Sequence, residues 1–341
     1  MRHVLASMFL VLLPFVPVAA QAPAPRPIVV AADAPWRHAN SGMTMPVTLF
    51  GFPRTQVREF EAPELDVVGT WQRDDDELTV YVTRSTAGSV PVWFDRATWA
   101  IETRPVYGRL TPAQLPAALR VPGAAVDAGL IATWTTEGAY RGTGVAIMPM
   151  GEWLVKLRYS STSRDGAAVA EVLRSAIAGL GWPAVIPATA AAQPIAACAD
   201  QLSYKGTAKD APASMQTALA GALGSLAVQG ASGTRPTFCR EGQRDQAFGL
   251  YRPDGASDRY FIALSDAGRG VVVGPGIGPL FDKTAKPSWS VDLALPGQTI
   301  NFAPQDRLPR PERALALLRT KPASSTSTHG PKRQITLPSS R

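Results

Sequence analysis

The segment VVGTWQRDDDELTVYVTR, residues 67–84, decides the fold class that the sequence predicts. Residues 78–83 alternate between apolar and polar side chains with a period of two, which is typical of a half-buried strand. The acidic run at residues 74–77 supplies a polar turn between this strand and the strand predicted over residues 67–73. We therefore expect a β-hairpin, from which the rest of a first domain extends in both directions.

Elements on either side of the hairpin predict an α+β domain over residues 36–183. One helix is predicted from Ser89 to about Thr103, with Pro91 in its first turn. A second helix, residues 166–180, carries its apolar side chains on one face and has Asp165 as its cap. The remaining strands are predicted over residues 45–50, 130–136, 143–148 and 153–160. The predicted fold class is thus α+β, an antiparallel sheet flanked by helices.

A second, smaller domain of mixed, β-rich character is predicted over residues 194–303, after a Pro/Ala-rich linker at 184–193. It contains one helix, residues 214–229, whose apolar side chains share a face. Its strands are expected around Phe238 and over residues 247–252, 259–265, 271–273, 288–293 and 300–302. Residues 304–341 are read as a basic tail, with one short helix within 307–319 and disorder from Lys321 onward.

The N-terminal residues 1–22 have the pattern of a cleavable secretory signal peptide. A short basic start precedes an almost purely apolar run over residues 4–18, and small residues follow at the cleavage site. Residues 23–35 then form a Pro/Ala-rich leader, which we expect to be flexible. No later segment has the length and apolar character of a membrane span. The expected location is therefore periplasmic or secreted.

The chain has two cysteines, Cys198 and Cys239. An exported protein folds in an oxidising compartment, so a structural disulfide between them is expected. The alternative, a redox-active pair, is disfavoured because the Cys-x-x-Cys spacing is absent.

The net charge of +7 is concentrated in the tail. Residues 307–341 hold eight basic side chains against the single acidic Glu312, so the rest of the chain is neutral on balance. Interleaved charges of both signs do not form the basic stripe that a nucleic-acid partner requires. A separate hypothesis is that the tail contacts an anionic lipid or cell-wall surface.

The first domain resembles the PsbP-like α/β/α sandwich. The residues that carry the resemblance are SGMTMP at 41–46, LTVYV at 78–82, GEWLVKLR at 151–158 and the helix within 165–182. The resemblance covers residues 36–183 and implies a domain that binds partners or stabilises assemblies, without enzymatic activity. The second domain resembles no family in this way.

Metal and cofactor sites are not predicted. The histidines are His3, His38 and His329, and neither their spacing nor that of the cysteines fits a zinc site. The acidic run at 74–77 could attract calcium, but it lacks the alternating acids and central glycine of a calcium loop, which favours a solvated turn. The glycines at 274, 276 and 278 follow a strand without the spacing of a nucleotide-binding loop.

No catalytic residue is predicted either. Motifs of serine nucleophiles are absent, and His38 is the one candidate base in a folded region, at the edge of the first domain. An alternative function, hydrolysis of cell wall or polysaccharide, would use paired carboxylates, which sequence alone cannot identify. The acidic residues available for that role are Glu102, Asp127, Glu137, Glu152 and Asp292.

Exposed aromatic and arginine side chains provide the remaining functional hypothesis. Tyr140 and Arg141 lie in a glycine-flanked turn, and Trp93 lies on the first helix near Trp99, so these residues are candidates for an interaction surface. Packing in the core is the alternative for the tryptophans. The expected function is a non-catalytic binding or assembly-stabilising module, with another envelope protein or a cell-wall polymer as partner.

Overall fold

A computed structural model describes residues 24–85, 87–212, 236–242, 244, 247–253, 255–264, 266–278, 286–329 and 334–337. The predicted signal peptide at 1–22 and the helix predicted over 214–229 lie outside these ranges. No helix in the described part of the chain is both long and apolar enough to cross a membrane.

The first sheet is antiparallel and has nine strands. Eight of them follow the order β1-β5-β6-β7-β11-β10-β9-β8, and β4 pairs with β5. Their bounds are β1 (Arg26–Pro27), β4 (Thr48–Leu49), β5 (Phe52–Glu61), β6 (Asp66–Arg73), β7 (Asp76–Arg84), β8 (Leu110–Leu119), β9 (Gly129–Thr136), β10 (Gly142–Met150) and β11 (Trp153–Ser161). A separate two-stranded ladder joins β2 (Trp36–Arg37) to β3 (Thr44–Met45). The predicted hairpin and meander strands are present as β6–β7 and β9–β11.

Two helices cover opposite faces of this sheet. Helix α2 (Gly166–Gly179) packs on the face where β7 places Leu78, Val80 and Val82, in the larger apolar core. Helix α1 (Val90–Glu102) packs on the other face of β9 and β10. Asp165 caps α2 as predicted, since its carboxylate accepts a hydrogen bond of 3.0 Å from Ala168 N.

The second sheet is an antiparallel meander of eight strands, each paired with the next in the chain. Its strands are β12 (Phe238–Arg240), β13 (Gly249–Pro253), β14 (Tyr260–Ala263), β15 (Gly270–Pro275), β16 (Trp289–Ala294), β17 (Gln298–Asn301), β18 (Ser325–Thr328) and β19 (Ile335–Thr336). Helix α3 (Pro311–Thr320) buries Ala314 and Leu317 in the same core as Val271 and Val273 of β15.

Although α1 and α2 each pack on a face of the first sheet, the predicted fold class, α+β with helices flanking the sheet, is wrong, because the protein is mostly β. Strands account for 40% of the residues and helices for 15%, and the described residues contain three α-helices. The missing strands explain the error, because β5 and β8 each span ten residues without the apolar alternation that identifies a strand. Strand β8 even contains Pro112 and Pro116, which an edge strand tolerates. The fold is β-rich.

The leader and the tail are also more ordered than predicted. Arg26 and Pro27 pair with β5, so regular structure begins within the leader expected to be flexible. Residues 325–328, expected to be disordered, form β18 beside β17. Their sequence STST gives no apolar signal, but Ser325 and Ser327 are fully buried. Serine and threonine side chains can occupy a buried sheet face when they are hydrogen-bonded, and here Ser325 donates to Asn301 Oδ1 at 3.0 Å.

The two sheets share a core across α1. The Trp93 ring meets the Phe261 ring of β14 edge-on, with 5.6 Å between the centroids. Two residues later, Asp95 is almost completely buried and accepts hydrogen bonds from Arg240 Nη1 (2.7 Å), Arg244 Nη2 (2.8 Å) and Tyr251 Oη (2.8 Å). A carboxylate removed from water requires such partners. Burial, and after it the carboxylate of Asp95, raise the pKa of Tyr251.

A second charged contact joins the two sheets, between β11 and the turn that follows β14. Lys156 of β11 is almost fully buried and lies 2.8 Å from Asp266 Oδ2, in the turn after β14. Burial opposes ionisation of Asp266, but the Lys156 ammonium lowers its pKa overall. Arg269, in the same turn, lies 3.4 Å from Asp66 Oδ2. Burial nevertheless raises the pKa of Asp66 to about 6.

The predicted disulfide between Cys198 and Cys239 is present, with 4.9 Å between the Cα atoms. It ties the segment that follows the linker to β12 across a separation of 41 residues, for which the loop-entropy estimate is about 3–4 kcal/mol. The buried Arg252 lies beside it and pairs with Asp200 at 2.6 Å and Glu241 at 2.8 Å. The linker at 184–193 contains no helix or strand, and the division into domains there stays a prediction.

Candidate interaction surface

The three residues predicted to form an interaction surface differ in their exposure to solvent. Tyr140 is partly exposed and Arg141 exposed, in the turn between β9 and β10. Trp93 is fully buried, and its Nε1 donates to Ala87 O at 3.1 Å. The prediction that Trp93 lies on the surface is therefore wrong. The part of α1 that carries Trp93 faces the second sheet, which sequence periodicity alone could not show.

The antiparallel register brings the Tyr140 turn to the same end of the first sheet as three other connections. Gly142 pairs with Ser161, and Ser160 pairs with Glu77, so the starts of β10 and β7 lie beside the end of β11. Strand β6 ends and β5 begins at this end as well. We call the region formed by residues 50–51, 73–76, 137–142 and 161–165 the turn end.

Phe50 has the most unusual conformation at the turn end. It has φ 50° and is followed by Gly51 with φ 75°, so two consecutive left-handed residues connect β4 to β5. Glycine adopts this conformation readily, whereas a bulky aromatic residue is uncommon there. The left-handed conformation costs a non-glycine residue about 1–2 kcal/mol. The aromatic side chain is 37% exposed, so burial in the core does not account for its presence.

Two arginines stand over the aromatic rings of this turn. The Arg164 guanidinium lies 5.6 Å from the centroid of the Phe50 ring, and that of Arg73 lies 5.3 Å from the Phe52 ring. Arg73 also donates to Gly51 O. Arg164 Nε hydrogen-bonds none of the described residues, and the carboxylate of Asp76 is 3.8 Å from it. Cation–π contacts therefore hold one guanidinium group over the exposed Phe50 ring and a second over the buried Phe52 ring next to it.

Backbone contacts join this group to the predicted pair. Arg141 N donates to Ser161 O at 2.8 Å. A Cβ atom on Gly142 would lie 2.5 Å from Arg164 O, so only glycine allows the two chain segments to approach so closely. Tyr140, Arg141, Arg164 and Phe50 thus lie along one continuous stretch of surface.

Tyr140 packs on a residue that is fixed in the fold. Its ring centroid is 5.6 Å from that of Tyr107, which is buried. The Tyr107 hydroxyl lies 3.1 Å from Ser160 Oγ and accepts from Arg158 Nη2 at 3.2 Å. Burial alone would raise the pKa of Tyr107, but Arg158 and the hydroxyl contacts lower it overall. Tyr140 therefore has a rigid support.

The acidic run at 74–77 belongs to this surface, but not entirely as the solvated turn that was predicted. Asp74 and Asp75 are exposed, whereas Asp76 turns inward and accepts from Tyr159 Oη at 2.5 Å. Burial and this contact raise the pKa of Tyr159 to about 12. In the described part of the chain, no group of three or more histidine, cysteine, aspartate or glutamate side chains is arranged to hold a metal ion.

The acids considered for hydrolysis do not face one another as a pair. Four of them contact an arginine: Glu102 with Arg244, Asp127 with Arg120, Glu137 with Arg109 and Glu152 with Arg84. The fifth, Asp292, accepts from Asn301 and Ser290. Its pKa is raised to about 6 by burial. These contacts account for each carboxylate within the fold.

A shallow cavity of about 370 Å³ lies along α1, away from the turn end. It is lined by Arg96, Trp99, Ala100, Thr103 and Pro105. Arg244 stands 5.7 Å from the Trp99 ring centroid and binds Asp95. Because Arg244 already has a carboxylate partner, the cavity offers a weaker case for recognition than the turn end.

Comparison of the chain with known proteins finds no matching family model, no matching curated protein and no matching solved structure.

Proposed function

We propose that this protein is an exported envelope protein that binds another protein through the turn end of its first sheet, as a binding or assembly-stabilising module. The signal-like segment at 1–22 and the disulfide between Cys198 and Cys239 support export, since disulfides persist in oxidising compartments. The resemblance to PsbP-like domains stays a prediction that is compatible with such a role.

One observation carries the binding proposal, namely the exposed Phe50 in a left-handed conformation. Asparagine or glycine at this position would relieve the strain. The contacts of the ring with Phe52 and Arg164 still leave the residue 37% exposed, which favours a role for the ring in binding. Tyrosine, tryptophan and arginine dominate the binding energy of protein interfaces, and the turn end that holds Phe50 also holds Tyr140, Arg141 and Arg164.

A protein partner fits the charge of this surface better than a polyanion does. Arg73, Arg141 and Arg164 are interleaved with Asp74 and Asp75, so no single sign of charge dominates. Interfaces that combine aromatic contacts with mixed charges select a specific partner surface.

Tethering by the basic tail has less support. Arg313 and Lys321 both pair with Asp210, and Arg307 pairs with Asp306. Charges engaged in this way attract an anionic surface less strongly than those of a free tail.

The experiment is capture of partners from an envelope extract on the immobilised purified protein, at low and high salt. We expect a specific protein to be retained at high salt by the parent, and Phe50→Asn to weaken its binding about 30-fold, the range of an interface hot spot. The matched control is Leu115→Asn, since Leu115 is 71% exposed on the edge strand β8. If the two variants bind equally well, the turn end is not the recognition surface.

A further inference from the structure

The connection between β2 and β3 pairs a histidine with a serine at the opposite end of the first sheet. His38 is fully buried, and its Nδ1 lies 2.6 Å from Ser41 Oγ. The imidazole packs between two indoles, with ring centroids 5.7 Å from Trp36 and 4.7 Å from Trp153. Ser41 is partly exposed, whereas His38 is fully buried.

The hydrogen-bond partners decide where the protons lie. His38 Nε2 is 2.6 Å from the carbonyl oxygen of Glu64, and a carbonyl can only accept. Nε2 therefore carries the hydrogen, which leaves the lone pair on Nδ1. The Ser41 hydroxyl must then donate to Nδ1, together with the Ser41 backbone N–H at 3.1 Å. A serine hydroxyl that donates to a neutral imidazole is the arrangement of an activated nucleophile.

Glu64 holds the imidazole in this orientation. Its φ of 54° turns its carbonyl toward His38, and its own N–H donates to Glu59 Oε2 at 3.1 Å. Its carboxylate accepts from Ala39 N at 2.7 Å. Glu64 is therefore a positioning residue, which acts on Ser41 only through the ring of His38.

The base remains neutral at the pH at which it would act. Burial lowers the pKa of His38 from 6.5, and the contacts with Glu64 compensate only in part. A neutral imidazole with a lone pair directed at a hydroxyl can accept its proton.

We infer that Ser41 and His38 form a nucleophile–base pair that accepts acyl groups from small activated esters, an activity beyond the proposed binding function. Ser41 Oγ attacks the carbonyl carbon while its proton passes to His38 Nδ1. The ester C–O bond then breaks, and His38 Nδ1 passes the proton to the departing alkoxide, which leaves as the alcohol. Water hydrolyses the acyl-serine by the same route. Small donors are expected because Ser41 lies in a short surface turn.

The first test is labelling with a fluorophosphonate probe, which transfers its phosphonyl group to an activated serine and releases fluoride. We expect the purified protein to be labelled at Ser41, and His38→Gln to slow the labelling about 100-fold, the usual contribution of a general base. Ser324→Ala is the matched control, because Ser324 is also partly exposed but donates to Asn301 O at 2.9 Å and has no base beside it. Labelling that survives His38→Gln would show that the pair does not work as inferred.

A second variant keeps the inference testable if His38→Gln does not fold. Ser41→Cys places a thiol against His38, which should lower its pKa by at least about one unit from the ordinary 8.5. Alkylation of Ser41→Cys should therefore be half-maximal at a lower pH than that of Ser324→Cys. Equal midpoints would mean that the His38–Ser41 contact only stabilises the turn.

Discussion

Phe50 and Glu64 lie at opposite ends of the first sheet and both adopt the left-handed region, but the two residues are anchored differently. At the end that contains His38, the backbone N–H, the carbonyl and the carboxylate of Glu64 all have hydrogen-bond partners. At the turn end, Phe50 projects an exposed ring whose contacts are with Arg164 and Phe52. The fold compensates for the strain at Glu64, whereas the strain at Phe50 has no internal compensation of that kind. This difference supports the two proposals, local chemistry at the end that contains His38 and recognition of a partner at the turn end.

The largest contrast between the ends is expected in stability. His38→Ala removes three hydrogen bonds and leaves a cavity beside two tryptophans, so we expect a loss of about 3 kcal/mol in the free energy of unfolding. Arg164→Ala at the turn end removes a side chain that is 41% exposed, and we expect a loss below about 1 kcal/mol. Urea denaturation of both variants measures the difference. Similar losses in the two variants would contradict the view that the end containing His38 is more tightly anchored in the fold than the turn end.

A smaller contrast concerns pH. Burial lowers the pKa of His38, so the folded state prefers the neutral ring. The stability that His38 contributes is present above its unfolded pKa of 6.5 and is lost as the pH falls toward the lowered value. Asp66 and Asp292 act in the opposite sense, because their pKa values are raised to about 6 and their contribution is lost as the pH rises through that value.

Comparison with His38→Gln separates these trends, since Asp66 and Asp292 are present in both proteins. Between pH 7 and pH 5.5, we expect the stability advantage of the parent over His38→Gln to shrink by about 1 kcal/mol. Urea midpoints across this range give the measurement. A constant advantage would mean that His38 has the same pKa in the folded and unfolded states.

Local periodicity accounts for what could be predicted of the fold. The hairpin, the meander and helix α2 have regular apolar spacing, and each lies where it was expected. Strands β5 and β8 were missed because both lie toward the edges of the sheet, where polar side chains and proline are tolerated. Apolar periodicity assigns such segments to loops, and because these two strands were omitted, the predicted fold class was wrong.

The candidate sites were less predictable, because their geometry depends on distant residues. The spacing of His38 and Ser41 is visible in the sequence, but the ring is oriented by Glu64, 26 residues away. Tyr140 and Arg141 were identified from their glycine-flanked turn, whereas Phe50 and Arg164 are brought beside them only by the register of the sheet. The buried Asp95 accepts a hydrogen bond from Tyr251, which is 156 residues away in the sequence, and no local pattern predicts such a contact.

The smallest expected contrast is in the sign of the change in the free energy of unfolding caused by two asparagine substitutions. Asparagine tolerates the left-handed region, so Phe50→Asn relieves strain and loses mainly the contact with Arg164. We expect the free energy of unfolding to stay constant or to rise by up to about 1 kcal/mol. Glu64→Asn relieves the same strain, but its shorter side chain does not reach Ala39 N, so we expect a loss of about 1 kcal/mol. Paired urea titrations resolve the two signs. If Phe50→Asn destabilises as much as Glu64→Asn, the aromatic ring stabilises the fold itself, and its exposure no longer points to a partner.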